Sequence, residues 1–177
     1  MFKTNAIKVV AFLGLLLAFV ACGPSKEEQE REARFNYAKK TTSDILSVDT
    51  VGKVLEIGFI IAKNSYMGNG VKLKNMQIAV DSVYALESKK LKRCQKLSKM
   101  TPANAPVDMK DEIGALWNAT CLKYQTRLES LDAFTVYLNA KTKENKAKAE
   151  EQSALVAMQS DLWTALITRL ADRYGNK

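Results

Sequence analysis

The chain has 177 residues, of which 47% are hydrophobic and 26% charged, an ordinary balance for a globular protein. Its net charge of +8 is compatible with binding to anionic headgroups, an acidic protein or a polyanion, and equally with a role in solubility alone. Eight glycines and three prolines provide few turns, which disfavours an all-β fold and favours a helical one. The sequence contains no histidine, so the usual general base, the usual zinc ligand and every Ser-His or Cys-His nucleophile pair are excluded.

Residues 1–21 have the organisation of an export signal. Lys3 and Lys8 give a positively charged start, and an uncharged apolar run extends from Val9 to Val20. This run of about a dozen residues is shorter than the roughly 20 that a bilayer-spanning helix needs. We therefore expect a cleaved signal rather than a permanent membrane helix.

The segment from Phe19 to Cys22 (FVAC) resembles the lipobox of bacterial lipoproteins, in which a small residue precedes an invariant cysteine. The resemblance covers residues 1–24 and implies that Cys22 is lipidated and becomes the N-terminus after cleavage. Phe19 departs from the usual leucine, and an ordinary secretory signal is the alternative. Neither Gly23 nor Pro24 is the aspartate that retains enterobacterial lipoproteins at the inner membrane. The resemblance thus implies an outer-membrane anchor facing the periplasm.

The polar residues 25–40 predict a helical stem between the anchor and the body. Ser25 can cap a helix whose first turn is rich in glutamate, and the helical pattern continues to a break between Val48 and Gly52. The predicted organisation is therefore a signal peptide over 1–21, a lipidated cysteine and stem over 22–40, and a bundle domain over 41–177.

Residues 51–62 are the most apolar stretch after the signal and are too short to span a membrane. We expect a buried core helix, with a segment lying on the membrane surface as the alternative. Glu56, inside this stretch, is the best candidate for a perturbed carboxylate, although we expect its side chain to reach the bundle surface. A loop is predicted over residues 64–70.

Three further helices are predicted from apolar residues at helical spacing, over residues 71–98, from about Met109 with Asp108 as N-cap, and over residues 154–174. Residues 139–152 are either exposed helix or a charged turn. The sequence therefore predicts an all-α protein, an antiparallel bundle of four or five helices. Trp117 and Trp163 are expected to be core anchors.

Cys94 and Cys121 lie on apolar stripes of two helices joined by one loop, in a chain expected in an oxidising compartment. We therefore predict a disulfide between them, with two separate buried cysteines as the alternative. Because Cys94 lies six residues before Met100 and Cys121 twelve after Met109, the two positions would be offset by about 9 Å in a symmetrical hairpin. The connecting loop must stagger the helices.

A basic stripe is predicted on the helix over residues 71–98. Its members are Lys89, Lys92, Arg93, Lys96 and Lys99, with Lys90 beside them. The stripe is either a docking face for anionic headgroups or an acidic partner, or a solvated helix face. Nucleic acid is disfavoured because no aromatic residues are interleaved with the basic ones.

The sequence contains no phosphate-binding loop, no CxxC and no Ser-x-x-Lys motif, and it predicts no cofactor and no metal site. We expect a non-enzymatic, lipid-anchored envelope lipoprotein that binds a protein partner, as an accessory or assembly factor of an envelope complex. A protective lipoprotein for toxin immunity or for phage or plasmid exclusion is the alternative. A peptidoglycan-active enzyme using one carboxyl of raised pKa is a third, but the motifs expected downstream of Glu87 in lytic transglycosylases are missing.

Overall fold

The computed structural model describes residues 24–67 and 70–175, so the predicted signal and Cys22 lie outside the described residues. Five helices follow one another: α1 (Lys26–Asp49), α2 (Lys53–Met67), α3 (Leu73–Met100), α4 (Lys110–Asn139) and α5 (Lys143–Tyr174). Two short 3₁₀ turns, Pro102–Asn104 and Val107–Met109, connect α3 to α4, and the described ranges contain no strand. The prediction of an all-α bundle of four or five helices is confirmed.

The helices form a four-helix bundle in which one of the four is broken. Helix α4 runs antiparallel to both α3 and α5: Cys94 of α3 pairs with Cys121, and Trp163 and Arg173 of α5 bond Thr120 and Glu112. Helix α1 packs on all three. Helix α2 packs on α3 and contacts α4 and α5 through side chains such as Lys63, which lies 3.2 Å from the Ser153 hydroxyl. Helices α1 and α2 therefore lie end to end in the groove between α3 and α5.

The break between α1 and α2 is fixed by Gly52. Its φ of +72° lies in the left-handed region, and a Cβ there would lie 2.5 Å from the Leu86 side chain. A side chain would be disfavoured both by backbone conformation and by space. The predicted break between Val48 and Gly52 is confirmed.

Helix α1 begins as a short free stem. Ser25 caps it, accepting from the Glu28 amide while Glu28 accepts from the Ser25 amide, as the sequence predicted. Residues 24–33 are exposed, and the helix joins the bundle from Arg34, whose Nε lies 2.8 Å from Asp108. Helix α1 is thus continuous across residue 40, the predicted boundary between stem and bundle. About its first two turns extend beyond the bundle.

Asp108 does not act as the predicted N-cap. Residues 107–109 form a 3₁₀ turn, and α4 begins at Lys110 without a side-chain cap. Asp108 instead pairs with Arg34 of α1. The capping prediction was wrong because the chain enters α4 through a 3₁₀ turn. At the next connection, Thr142 accepts from the Asn145 amide and α5 starts at Lys143, so residues 143–152 are helix.

Two apolar clusters fill the bundle. The first lies among α1, α4 and the end of α5 and includes Ile45, Trp117 and Leu170. The second lies among α2, α3 and α4 and includes Met76 and Phe134. Trp117 is fully buried and Trp163 nearly so, which confirms both as core anchors. Each large buried apolar side chain contributes about 1.5–3 kcal/mol relative to exposure.

The structure pairs Cys94 with Cys121. Their Cα atoms lie 5.6 Å apart, within the range for disulfides, and the sulfur atoms lie at bonding distance. The predicted stagger is provided by the two 3₁₀ turns, which pack under the end of α3 and against α4, with Ala105 and Met109 buried. The disulfide prediction is confirmed.

Helix α2 is not the buried core helix that its composition predicted. Only Glu56 and Tyr66 are buried in it, and its aliphatic side chains point outward. The expectation that Glu56 reaches the surface was also wrong, since 5% of the residue is exposed. Both predictions failed for the same reason. Lys90 of α3 and Arg127 of α4 pair with Glu56, so the side of α2 that carries Glu56 faces inward and the aliphatic side faces outward.

Candidate functional site

A buried ionic cluster lies where α1 ends and α2 begins. Its members are Asp49, Glu56, Glu87, Lys90, Lys123 and Arg127. All but Arg127 are less than 9% exposed. The cluster lies between the two apolar clusters and joins all of the first four helices. Such a buried network restricts how the helices can pack, because each ion needs its partner.

Lys90 connects the two halves of the broken helix. Its ammonium group donates to the main-chain oxygen of Asp49 at 3.1 Å, pairs with Glu56, and lies 3.7 Å from Glu87. One side chain of α3 thus binds the last turn of α1 and the first turn of α2.

Helix α4 supplies the other two cations. Lys123 lies 2.7 Å from the Asp49 carboxylate, and Arg127 reaches Glu56 at 3.1 Å and Glu87 at 3.3 Å. Lys123 and Arg127 are four residues apart and lie on the same side of α4. Lys123 therefore reaches the carboxylate at the end of α1, and Arg127 reaches the carboxylate at the start of α2.

The three carboxyl groups differ in their electrostatics. Burial alone would raise the pKa of Asp49 and of Glu56, but Lys123 and Lys53 lower that of Asp49, and Lys90 and Arg127 lower that of Glu56. In Glu87 the effect of burial exceeds that of Arg127 and Lys90, so the pKa of its carboxyl is raised. Glu87 Oε2 is buried without a hydrogen-bond partner.

A cavity of about 280 Å³ opens beside this cluster, between α2, α4 and α5 with α3 at its floor. Glu56, Glu87 and Arg127 form its charged side, and Phe59 and Leu131 are among its apolar lining. Lys63 lines the cavity on the side formed by α2, and burial lowers the pKa of its ammonium group. The cavity thus combines apolar walls with a few polar groups, as small-molecule sites do.

No described protein family, curated protein or solved structure matches this chain. No group of three or more Cys, Asp or Glu side chains within residues 24–67 and 70–175 is arranged to hold a metal ion.

The outer side of α2 forms an exposed apolar face. It consists of Val54, Leu55, Ile57, Ile60 and Ile61, which are 51–83% exposed. Val54, Ile57 and Ile61 follow one another at helical spacing, so they lie on one side of the helix. The sequence had shown this stretch as apolar, but periodicity alone could not show that its side chains face outward. Among the helices described, none is long and apolar enough to cross a membrane.

The basic stripe is exposed along α3 as predicted for its five members. Arg93 lies 3.2 Å from the Ser47 hydroxyl of α1, and the adjacent Lys90 points inward instead. Lys99 lies in the last turn of α3, close to where Tyr37 donates to the Thr101 carbonyl. The stripe is therefore in the half of the bundle where α1 begins, whereas the apolar face of α2 is in the other half.

Proposed function

We propose that this chain is a lipid-anchored cell-envelope lipoprotein that binds a protein partner and is not an enzyme. The observation that carries the proposal is the exposed apolar face of α2. Isolated exposed aliphatic residues are common on protein surfaces, but contiguous ones mark contact sites for proteins or membranes. Val54, Ile57 and Ile61 lie on one side of this short helix and form such a contiguous surface, and Leu55 and Ile60 are exposed on the same helix.

The position of this face favours a protein over the anchoring membrane. With lipid on Cys22, the anchored end is the start of α1, whose 24 residues span about 36 Å. Helix α2 continues in the same direction, so its apolar face begins about that far from the anchored end. If the stem holds the bundle upright on the membrane, this face lies away from the bilayer. An apolar helix or an apolar groove of a partner protein would fit it.

The basic stripe complements this arrangement. It lies in the half of the bundle nearer the anchor, where anionic headgroups or an acidic segment of the same complex would be within reach. The outer-membrane location implied by the lipobox resemblance belongs to this proposal as well, with the bundle facing the periplasm.

The proposal is tested by two charge-altering variants of the full-length chain. We expect Ile57→Lys with Ile61→Lys to abolish capture of at least one envelope protein from solubilised membranes. Both side chains are more than half exposed, so the free energy of unfolding should change by less than about 1 kcal/mol. Quantitative mass spectrometry of the co-purifying proteins, with circular dichroism of each variant, provides the measurement.

The matched control reverses the charge of the basic stripe by Lys89→Glu, Lys92→Glu, Arg93→Glu and Lys96→Glu, which leaves helix propensity nearly unchanged. We expect this variant to keep the partner lost by the Ile57 and Ile61 variant, and to weaken only salt-dependent association. If the Ile57 and Ile61 variant captures the same proteins as the wild type, the face of α2 is not the partner site.

A further inference from the structure

The cavity beside the buried ionic cluster contains two polar groups that the fold leaves incompletely matched. One belongs to Glu87, which lines the cavity: its Oε2 is buried and has no hydrogen-bond partner among the described residues. The neighbouring Arg127 donates instead to Glu87 Oε1 at 3.3 Å and to Glu56 at 3.1 Å. Glu87 is 1% exposed, so bulk water does not readily satisfy the free oxygen.

The second group is the ammonium of Lys63. It lies 3.2 Å from the Ser153 hydroxyl and 5.0 Å from the centre of the Phe134 ring. Within the described part of the chain, no carboxylate lies within ion-pair distance of it. Burial lowers the pKa of Lys63 for this reason, because nothing negatively charged compensates for the lost water.

The remaining lining decides which ligand chemistry fits. Ser130 and Ser153 offer hydroxyl groups, and Phe59, Val83 and Leu131 offer apolar surface. A cationic ligand would be repelled by Lys63, and a neutral apolar one would leave the ammonium without a counter-ion. An anionic group would pair with Lys63, while an apolar body would cover the walls.

We propose that this cavity binds a small organic carboxylate with an aliphatic or aromatic body, its carboxylate on Lys63 and Ser153. The volume of about 280 Å³ lies at the lower end of ligand sites and limits the ligand to a small molecule. The proposed ligand does not contact Glu87, whose charge is balanced by Lys90 and Arg127. The cavity shares Ile60 with the apolar face of α2, but the contacts of the carboxylate with Lys63 and Ser153 do not depend on the partner surface.

The probe for this site is phenylacetate, titrated calorimetrically into the full-length chain in detergent, with phenethylammonium as the cation of similar shape. We expect saturable binding of phenylacetate and none of phenethylammonium. Lys63→Met should weaken phenylacetate binding at least tenfold, because the cation that pairs with the ligand's carboxylate is lost. Lys74→Met, which removes the same charge from an exposed position of α3, should leave binding unchanged.

A second variant keeps the test decisive if Lys63→Met does not fold. Ser153→Asp places a carboxylate beside Lys63, so it should abolish phenylacetate binding while keeping or raising the melting temperature. Absence of saturable phenylacetate binding to the wild type, equal binding of phenethylammonium, or unchanged binding in Ser153→Asp would each overturn the proposal.

Discussion

Replacing Lys90 by methionine is expected to lower the free energy of unfolding by about 3–5 kcal/mol, the range for removing one partner of a buried ion pair. Methionine fills the space of the lysine stem but leaves Glu56 with Arg127 and Lys53, and it removes the donor to the Asp49 carbonyl. For a chain of this size the melting temperature should fall by roughly 10 °C. Urea unfolding followed by circular dichroism provides the measurement.

The adjacent residue is the control. Lys89 belongs to the exposed basic stripe, so Lys89→Met removes the same charge and adds the same side chain one position away. Its unfolding free energy should stay within about 0.5 kcal/mol of the wild type. Equal stability of the Lys89 and Lys90 variants would show that the buried ionic cluster does not hold α1 and α2 on α3.

Loss of the disulfide between Cys94 and Cys121 is expected to lower the unfolding free energy by about 3–4 kcal/mol. The cysteines are 27 residues apart, and in the loop-entropy model the bond limits the freedom of this loop in the unfolded chain. Comparing urea unfolding with and without reductant measures the effect. A variant with Cys94→Ala and Cys121→Ala serves as control, because reductant should not change its stability.

The same bond has a chemical signature. In the unreduced protein under native conditions, neither Cys94 nor Cys121 should react with a thiol-alkylating reagent, whereas both should react after reduction and unfolding. Rapid alkylation of both cysteines in the unreduced native protein would show that they are free thiols.

The sequence predicts the long helices of this protein better than it predicts what faces inward. The stripe from Met76 to Leu97 indicates α3 because apolar residues recur at helical spacing, and the structure buries that side. The pattern fails at α2, where Glu56 is the only polar residue from Val54 to Ala62, and the apolar residues there do not indicate which side is buried. Which side is buried there depends on the ionic partners that α3 and α4 present, and these are distant in sequence.

Two residues of the buried ionic cluster are unusual in the sequence: Glu56, inside an apolar stretch, and Lys90. Lys90 interrupts the apolar stripe of α3 between Leu86 and Cys94, and a lysine at such a position must either reach the surface or find a buried partner. Its partners could not be assigned, since Asp49 lies 41 residues away and Glu56 34 residues away. Nothing in the local pattern distinguishes Lys123 or Arg127 from a solvated residue. Only the packing of four helices brings these charges together.

Labelling with radioactive palmitate tests whether the bundle is tethered to the envelope through a lipid on Cys22. Wild-type protein expressed in a bacterium should incorporate palmitate and fractionate with membranes. Cys22→Ser should incorporate none and should accumulate with its N-terminal signal uncleaved, because lipidation precedes that cleavage in the lipoprotein class that residues 19–22 resemble. Continued labelling of Cys22→Ser, or an unlabelled wild-type protein released without a lipid, would contradict the account.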